Sequence, residues 1–383
     1  MRRWMAAPAV FAAAAALALI ADAPTARGQD NKPVEEKFTT ADGVTLQGLF
    51  HKSPQPKSGN PVVILLYPPG PANTMLKPGD WDGLTALLTK EGFNVFRFDW
   101  RGHGKSTDIT DTDLFWNNIV TGPWNQKCVP GYNAFKRTGP DRISVKKDVR
   151  SSYFPVYVND LAAARVHLDA KNDPAGGSQV NTSSIYLIGA GDAATLGMLW
   201  LASEWARPAI RPTIIGGNGV EVPYKLSPTP GVIPDVEAGR DIAGAIWLTA
   251  TKPQSVYAAT VAEWSKDAPK LRENNPMLFL VGAKDQAGIA ASKFFYKQVL
   301  VAEGNRQLMV KPLEQTFLTE LKGIKLSGPA LLGNDQQTGT ETEITKFLTG
   351  RQKDRVAVTA KARKWDSPYF INLPAFRVYT PTR

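Results

Sequence analysis

The residues best placed to do chemistry lie between Ser184 and Leu199, S-I-Y-L-I-G-A-G-D-A-A-T-L-G-M-L. An apolar run rich in Ile and Leu gives way to small residues, then to Ala, Leu and Met at helical spacing, so a buried strand is expected to turn sharply into a helix. A nucleophile presented on such a turn needs small residues two before and two after it, because a larger side chain there strikes the neighbouring backbone. Gly189-Ala190-Gly191-Asp192-Ala193 has that spacing, but its centre, Gly191, has no side chain to react. A second register centres the turn on Asp192, flanked by Ala190 and Ala194, and offers a carboxylate nucleophile instead. An ordinary strand-to-helix turn with no function also explains the small residues.

Upstream, Phe98-Asp99-Trp100-Arg101-Gly102-His103-Gly104-Lys105-Ser106 follows an apolar strand at once. This phrase resembles the D-x-R-G-H-G-x-S loop of the α/β-hydrolase fold, and together with the turn it extends the resemblance over roughly Phe38 to Gly350. The resemblance implies a nucleophile, an acid and a general-base histidine. Asp285, in V-G-A-K-D-Q-A, stands at the acid position, although Asp at a strand end is also a common turn residue. The base should be a histidine after the last strand, since imidazole can accept and return the nucleophile's proton near neutral pH. The three histidines are His51, His103 and His167, and none follows residue 167. Ser327, in K-L-S-G-P-A-L-L, occupies the place the histidine would hold, and His103 reads as structural.

The loop that would supply an oxyanion donor is Tyr67-Pro68-Pro69-Gly70. In the register implied by the resemblance the donor is Pro69, which has no N–H, and a shift of one residue gives Gly70 instead. Gly191, Asp285 and Ser327 are therefore read as a degenerate triad. The expected role is a binding or interaction module. The alternative is an active hydrolase of esterase, peptidase or dehalogenase type with a non-standard nucleophile such as Asp192.

The elements needed to position these residues are legible around them. Asp42-Gly43 divides two strand-like runs between Phe38 and Lys52 as a hairpin. Pro61 to Tyr67 is a continuous apolar strand, Trp81 to Glu91 a helix and Phe93 to Trp100 the next strand. This order implies parallel crossovers. Asn159 to Asp169 is expected to be helical, Ile242 to Thr249 a strand, Ser255 to Leu271 a helix and Met277 to Gly282 a strand. Ala290 to Ala302 is read as a helix, Leu308 to Leu313 as the last strand and Glu341 to Phe347 as a closing helix. The expected architecture is α/β: a mostly parallel central sheet with helices on both faces and an insertion after the fourth strand.

That insertion, residues 108–150, has no clear period and carries six basic residues against Asp141 and Asp148 between Lys136 and Arg150. A loop of this length inside a domain is commonly a lid, a binding loop or an interaction surface. The body is read as 29–350, followed by a basic and aromatic tail at 351–383 packed on the domain.

At 383 residues, 43% hydrophobic and 21% charged, the composition is globular. Residues 1–28 combine Arg2 and Arg3, an apolar Ala-rich stretch and Ala26-Arg27-Gly28, the pattern of a secretory signal. The expected location is periplasmic or extracellular, with no integral membrane segment after signal removal. Loss of three arginines and Asp22 with that segment takes the net charge from +10 to +8. A basic surface of this kind suits anionic partners, yet no nucleic-acid motif accompanies it. Cys128 is the single cysteine, so an internal disulfide is excluded. No metal-ligand spacing surrounds the three histidines, and no cofactor or metal is expected. The partner is expected to be an unidentified small molecule or a component of the cell envelope.

Overall fold

The computed structural model describes residues 32–55, 59–75, 80–118, 121–146, 149–172, 180–206, 238–252, 256, 269–297, 316–360, 371 and 373. The proposed signal segment, Ser255 and residues 257–268 of the helix expected over Ser255–Leu271, residues 298–302 of the helix expected over Ala290–Ala302, the strand expected at Leu308–Leu313 and most of the tail lie outside them.

Eight strands form one sheet: β1 (Val34–Thr39), β2 (Thr45–His51), β3 (Pro61–Leu66), β4 (Asn94–Phe98), β5 (Asn181–Ala190), β6 (Ile242–Leu248), β7 (Met277–Gly282) and β8 (Phe317–Leu321). Their spatial order is β1-β2-β4-β3-β5-β6-β7-β8. The β1–β2 and β2–β4 pairs are antiparallel and all others parallel. The hairpin turns where the sequence puts it, with Gly43 at a φ of 84° that other residues rarely adopt. The edge strand β8 was not expected from the sequence. Its F-L-T-E-L sequence is only half-buried at the sheet edge and so lacks the continuous apolar run that marks the central strands.

Alternation along the strands divides the core. Val62, Ile64 and Leu66 of β3 join one apolar cluster, while Val63 and Leu65 join the other. The first face is covered by α4 (Val158–Asp169) and α5 (Asp192–Ala206), through residues such as Leu161, Leu168, Leu196 and Trp200. The second is covered by α1 (Asp80–Lys90), through Leu84 and Leu88, and by the helix Thr340–Lys353, through Ile344 and Leu348. This strand order, with parallel crossovers and helices on both faces, is the α/β-hydrolase fold.

Residues 108–150 contain two short helices, α2 (Thr112–Asn117) and α3 (Gly122–Cys128), before the 3₁₀ turn Ser151–Tyr157. Phe115, Trp116, Trp124 and Cys128 are buried in the same cluster as α4 and α5. A buried ion network fastens this region to the sheet. Arg101 donates to Asp42 through Nη1 at 2.6 Å and Nη2 at 2.9 Å, and to Asp160 through Nε at 2.7 Å. Arg101 Nη1 also reaches Tyr153 Oη at 3.3 Å, and Tyr153 donates onward to Asn125 at 2.6 Å. Residues from the β1–β2 turn, the loop after β4, α3, the 3₁₀ turn and α4 thus share one network.

The two carboxylates respond differently. Burial alone would raise Asp42, but the two-pronged Arg101 contact overcomes it and holds that group below its ordinary range. Burial dominates at Asp160, which has one guanidinium contact and the Asp42 charge nearby, and pushes it up to about 6.

Candidate functional site

Gly191 follows β5 directly and has φ +54°, in the left-handed region that a tight strand-to-helix turn requires at its tip. Its N–H donates to Leu248 O at 3.0 Å, and its carbonyl accepts from Thr251 N at 3.3 Å. The flank at Gly189 is tightly enclosed. A Cβ on Gly189 would stand 3.3 Å from the carbonyl oxygen of Ala193 and 3.0 Å from the Trp247 ring. Asp192 is the first residue of α5 rather than the tip, and its carboxylate accepts a hydrogen bond from Thr251 Oγ1. Thr251 is held in turn by Thr195, whose hydroxyl donates to the Thr251 carbonyl at 2.8 Å. Sequence reasoning missed Thr251; its only signal was its place just beyond a buried strand.

Above Gly191 the space is closed by Pro68, whose Cγ would lie 3.2 Å from a Cβ at position 191. The Tyr67–Gly70 loop is pinned from several sides. Tyr67 Oη donates to Asp99 and Trp100 Nε1 donates to Tyr67 O at 2.9 Å. Asn73 Nδ2 donates to Pro68 O at 2.8 Å.

Gly70, the alternative oxyanion donor, gives its N–H to His103 Nε2 at 2.9 Å. The other ring nitrogen, Nδ1, lies 3.0 Å from Arg101 O, so it carries the proton and donates to that carbonyl. Burial lowers the His103 pKa, which keeps the ring neutral and both nitrogens committed to the backbone. His103 is a brace between two loops. His51 and His167 lie elsewhere: His51 ends β2, and His167 Nε2 is 2.6 Å from Glu36 on β1.

Asp285 caps the helix Gln286–Phe294, accepting from Gly288 N at 2.9 Å through Oδ1. Among the described residues its Oδ2 is enclosed without a hydrogen-bond partner, as is Oγ1 of nearby Thr249, whose φ of +47° is unusual for a β-branched residue. Ser327 is exposed and precedes the 3₁₀ turn Gly328–Leu331. Its loop reaches the end of β7, where Lys284 N donates to Ile324 O at 2.8 Å. Gly191, Asp285 and Ser327 therefore all follow the carboxyl ends of parallel strands, which is where this class of sheet presents a site.

A groove of about 410 Å³ opens beside the turn. Asp192 contributes to it, as do Pro69 and Gly70 of the pinned loop and Arg150, Phe154 and Tyr157 from the end of the insertion and the following turn. The Tyr157 ring packs edge-on against both Phe154 and His103, with centroids 6.2 and 5.6 Å apart. Nothing in the sequence marked Phe154 and Tyr157 as wall residues, because the order of their packing has no short-range period. Among the described residues no group of three or more His, Cys, Asp or Glu side chains could hold a metal ion, and no helix is long and apolar enough to cross a membrane.

No protein-family model matches the chain. A 70-residue stretch is 39% identical to the uncharacterized protein YfhR of Escherichia coli K12, and equally to that of Escherichia coli O157:H7. The match covers 18% of this chain and 24% of that protein, so the chain spans about a quarter of the length of the curated relatives it matches. Among solved structures, the chain is similar to an esterase of Pyrococcus furiosus at 13% identity, covering 83% of this chain and 91% of that one with a TM-score of 0.43. It is also similar to Est1E of Butyrivibrio proteoclasticus with ferulic acid bound, at 15% identity, 84% and 99% coverage and a TM-score of 0.43. A putative α/β hydrolase of unknown function from Agrobacterium tumefaciens gives 16% identity, 84% and 97% coverage and a TM-score of 0.44.

Proposed function

We propose that this is an exported α/β-hydrolase-fold protein that binds a small ligand in the groove beside Gly191 and does not carry out Ser-His-Asp catalysis. The observation that carries the reading is the turn itself: a residue with the backbone conformation of a nucleophile position and no side chain. Two further features support it. The imidazole behind the groove has both nitrogens bound to backbone groups, and Gly70 N–H is spent on it. An enzyme without a triad member retains only about 10³ to 10⁴ over water, and loss of an oxyanion donor removes about 10² to 10³ in rate. Export rests on the pattern of residues 1–28 and is tested by the mature N-terminus of the secreted chain. The catalytic side is tested by a fluorophosphonate probe, which should leave the folded protein unlabelled. Stoichiometric labelling of any serine would overturn the reading.

A second reading is favoured by one observation, that Asp192 lines the groove. If its carboxylate displaces halide from a haloalkane, an alkyl ester forms on Asp192 as the halide departs; if it attacks an ester carbonyl, a mixed anhydride forms as the alkoxide departs; water attacking the Asp192 carbonyl then cleaves either intermediate. Turnover in ¹⁸O water would leave label in the Asp192 carboxylate, and Asp192→Asn would abolish turnover. Absence of both label and turnover would remove this reading.

A further inference from the structure

Any ligand that fills the groove removes water from Asp192. Its carboxylate accepts from Thr251 Oγ1 and makes no ion pair among the described residues. A neutral, apolar ligand would therefore leave a charged oxygen desolvated and incompletely bonded, which opposes its binding. A ligand carrying an ammonium group instead supplies charge-assisted hydrogen bonds to that oxygen. The Phe154 and Tyr157 rings in the same groove favour a cation and offer an apolar surface beside it.

A simple amine is opposed by the basic stretch from Lys136 to Arg150. Arg150, an exposed residue, lines the groove and makes no ion pair among the described residues. One ligand chemistry satisfies both charges. We infer that the groove takes a small zwitterion with an apolar body, an α-amino acid or short peptide, its ammonium on Asp192 and its carboxylate toward Arg150. The volume of about 410 Å³ falls within the range of small-ligand pockets. The inference rests on the groove being a binding site, as proposed above, and adds the class of ligand.

The test uses titration calorimetry of the mature protein with Leu-Phe, N-acetyl-Leu-Phe, Leu-Phe-amide and the doubly blocked peptide. Acetylation should weaken binding at least about tenfold, because the Asp192 interaction is partly shielded from water, and amidation about threefold, because Arg150 is exposed. In Asp192→Asn the acetylation penalty should vanish while the amidation penalty remains. Arg150→Gln should show the reverse, with both variants melting near the parent. Equal binding of the doubly blocked peptide would overturn the zwitterion inference while leaving the groove as a binding site. Lack of binding by all four at millimolar concentration would overturn it as well. Chromatography of the titrated mixtures separates these outcomes from failure of the non-catalytic reading, which would appear as release of free leucine and phenylalanine.

Discussion

Restoring a hydroxyl at the turn tests the assignment of Gly191 most directly. In Gly191→Ser the new Cβ would stand 3.2 Å from Pro68 Cγ and 3.7 Å from Pro68 Cβ, with Thr251 Oγ1 at 3.9 Å. The proline contact is tighter than ordinary van der Waals packing, and the pinned loop must yield by a few tenths of an ångström. The φ of +54° adds the left-handed cost of a non-glycine residue, about 1–2 kcal/mol. Together these give a destabilisation of about 1–3 kcal/mol, within the typical total stability of about 5–15 kcal/mol, so the variant should fold with Tm lowered by several degrees. The single variant should remain inert because His103 is fully committed to backbone groups. Adding Ser327→His would place an imidazole on the loop that meets the turn carrying Asp285 at the end of β7. That double variant should show a burst with p-nitrophenyl acetate and fluorophosphonate labelling at residue 191. Its rate should be about 10² to 10³ below that of an intact oxyanion hole, since Pro69 has no N–H and Gly70 N–H is occupied. A full burst from Gly191→Ser alone would refute the argument that no base is available. A folded double variant without burst or labelling would refute the placement of the base at Ser327.

His51 should make the fold acid-sensitive. Burial, with the Arg97 charge second, pushes its pKa down from 6.5 to about 4, so the unfolded chain binds the extra proton between those values. Stability from this residue is complete above pH 6.5 and is lost as pH falls toward 4. Full linkage would be about 3 kcal/mol, reduced to about 1–2 by partial solvent access, and urea titrations of His51→Gln across that window should show a correspondingly flatter profile. Arg101→Gln should cost about 3–5 kcal/mol, because it leaves Asp42 and Asp160 buried together without their cation; a change below 1 kcal/mol in denaturant unfolding would count against the network as an anchor. Cys128 is buried and its thiol is pushed up by burial, so iodoacetamide should modify it at neutral pH only after unfolding; rapid modification of the folded protein would contradict its packing.

The hairpin, the central parallel strands and the turn at Gly191 were legible in the sequence because each follows from local rules: Asp-Gly between strands, continuous apolar runs, and small residues where backbones meet. The same rules put Gly191 rather than a reactive side chain at the centre of the turn, and they left no histidine beyond residue 167. They were weakest at the sheet edge, where Phe317–Leu321 is only half-buried and gains its strand character by pairing with β7.

Other features depended on residues far apart in sequence. Asp285 could be placed after β7 from the chain alone, but its bond to Gly288 and its unpartnered second oxygen required the fold. His103 could be read as structural, whereas its hold on Gly70, 33 residues away, could not. The groove is the clearest case: its carboxylate comes from the start of α5, its prolines from the loop after β3 and its rings from the turn before α4. No spacing encodes that meeting, because it arises only when parallel crossovers bring the carboxyl ends of separate strands to one edge of the sheet, and the buried Arg101 network fixes the intervening segment against it.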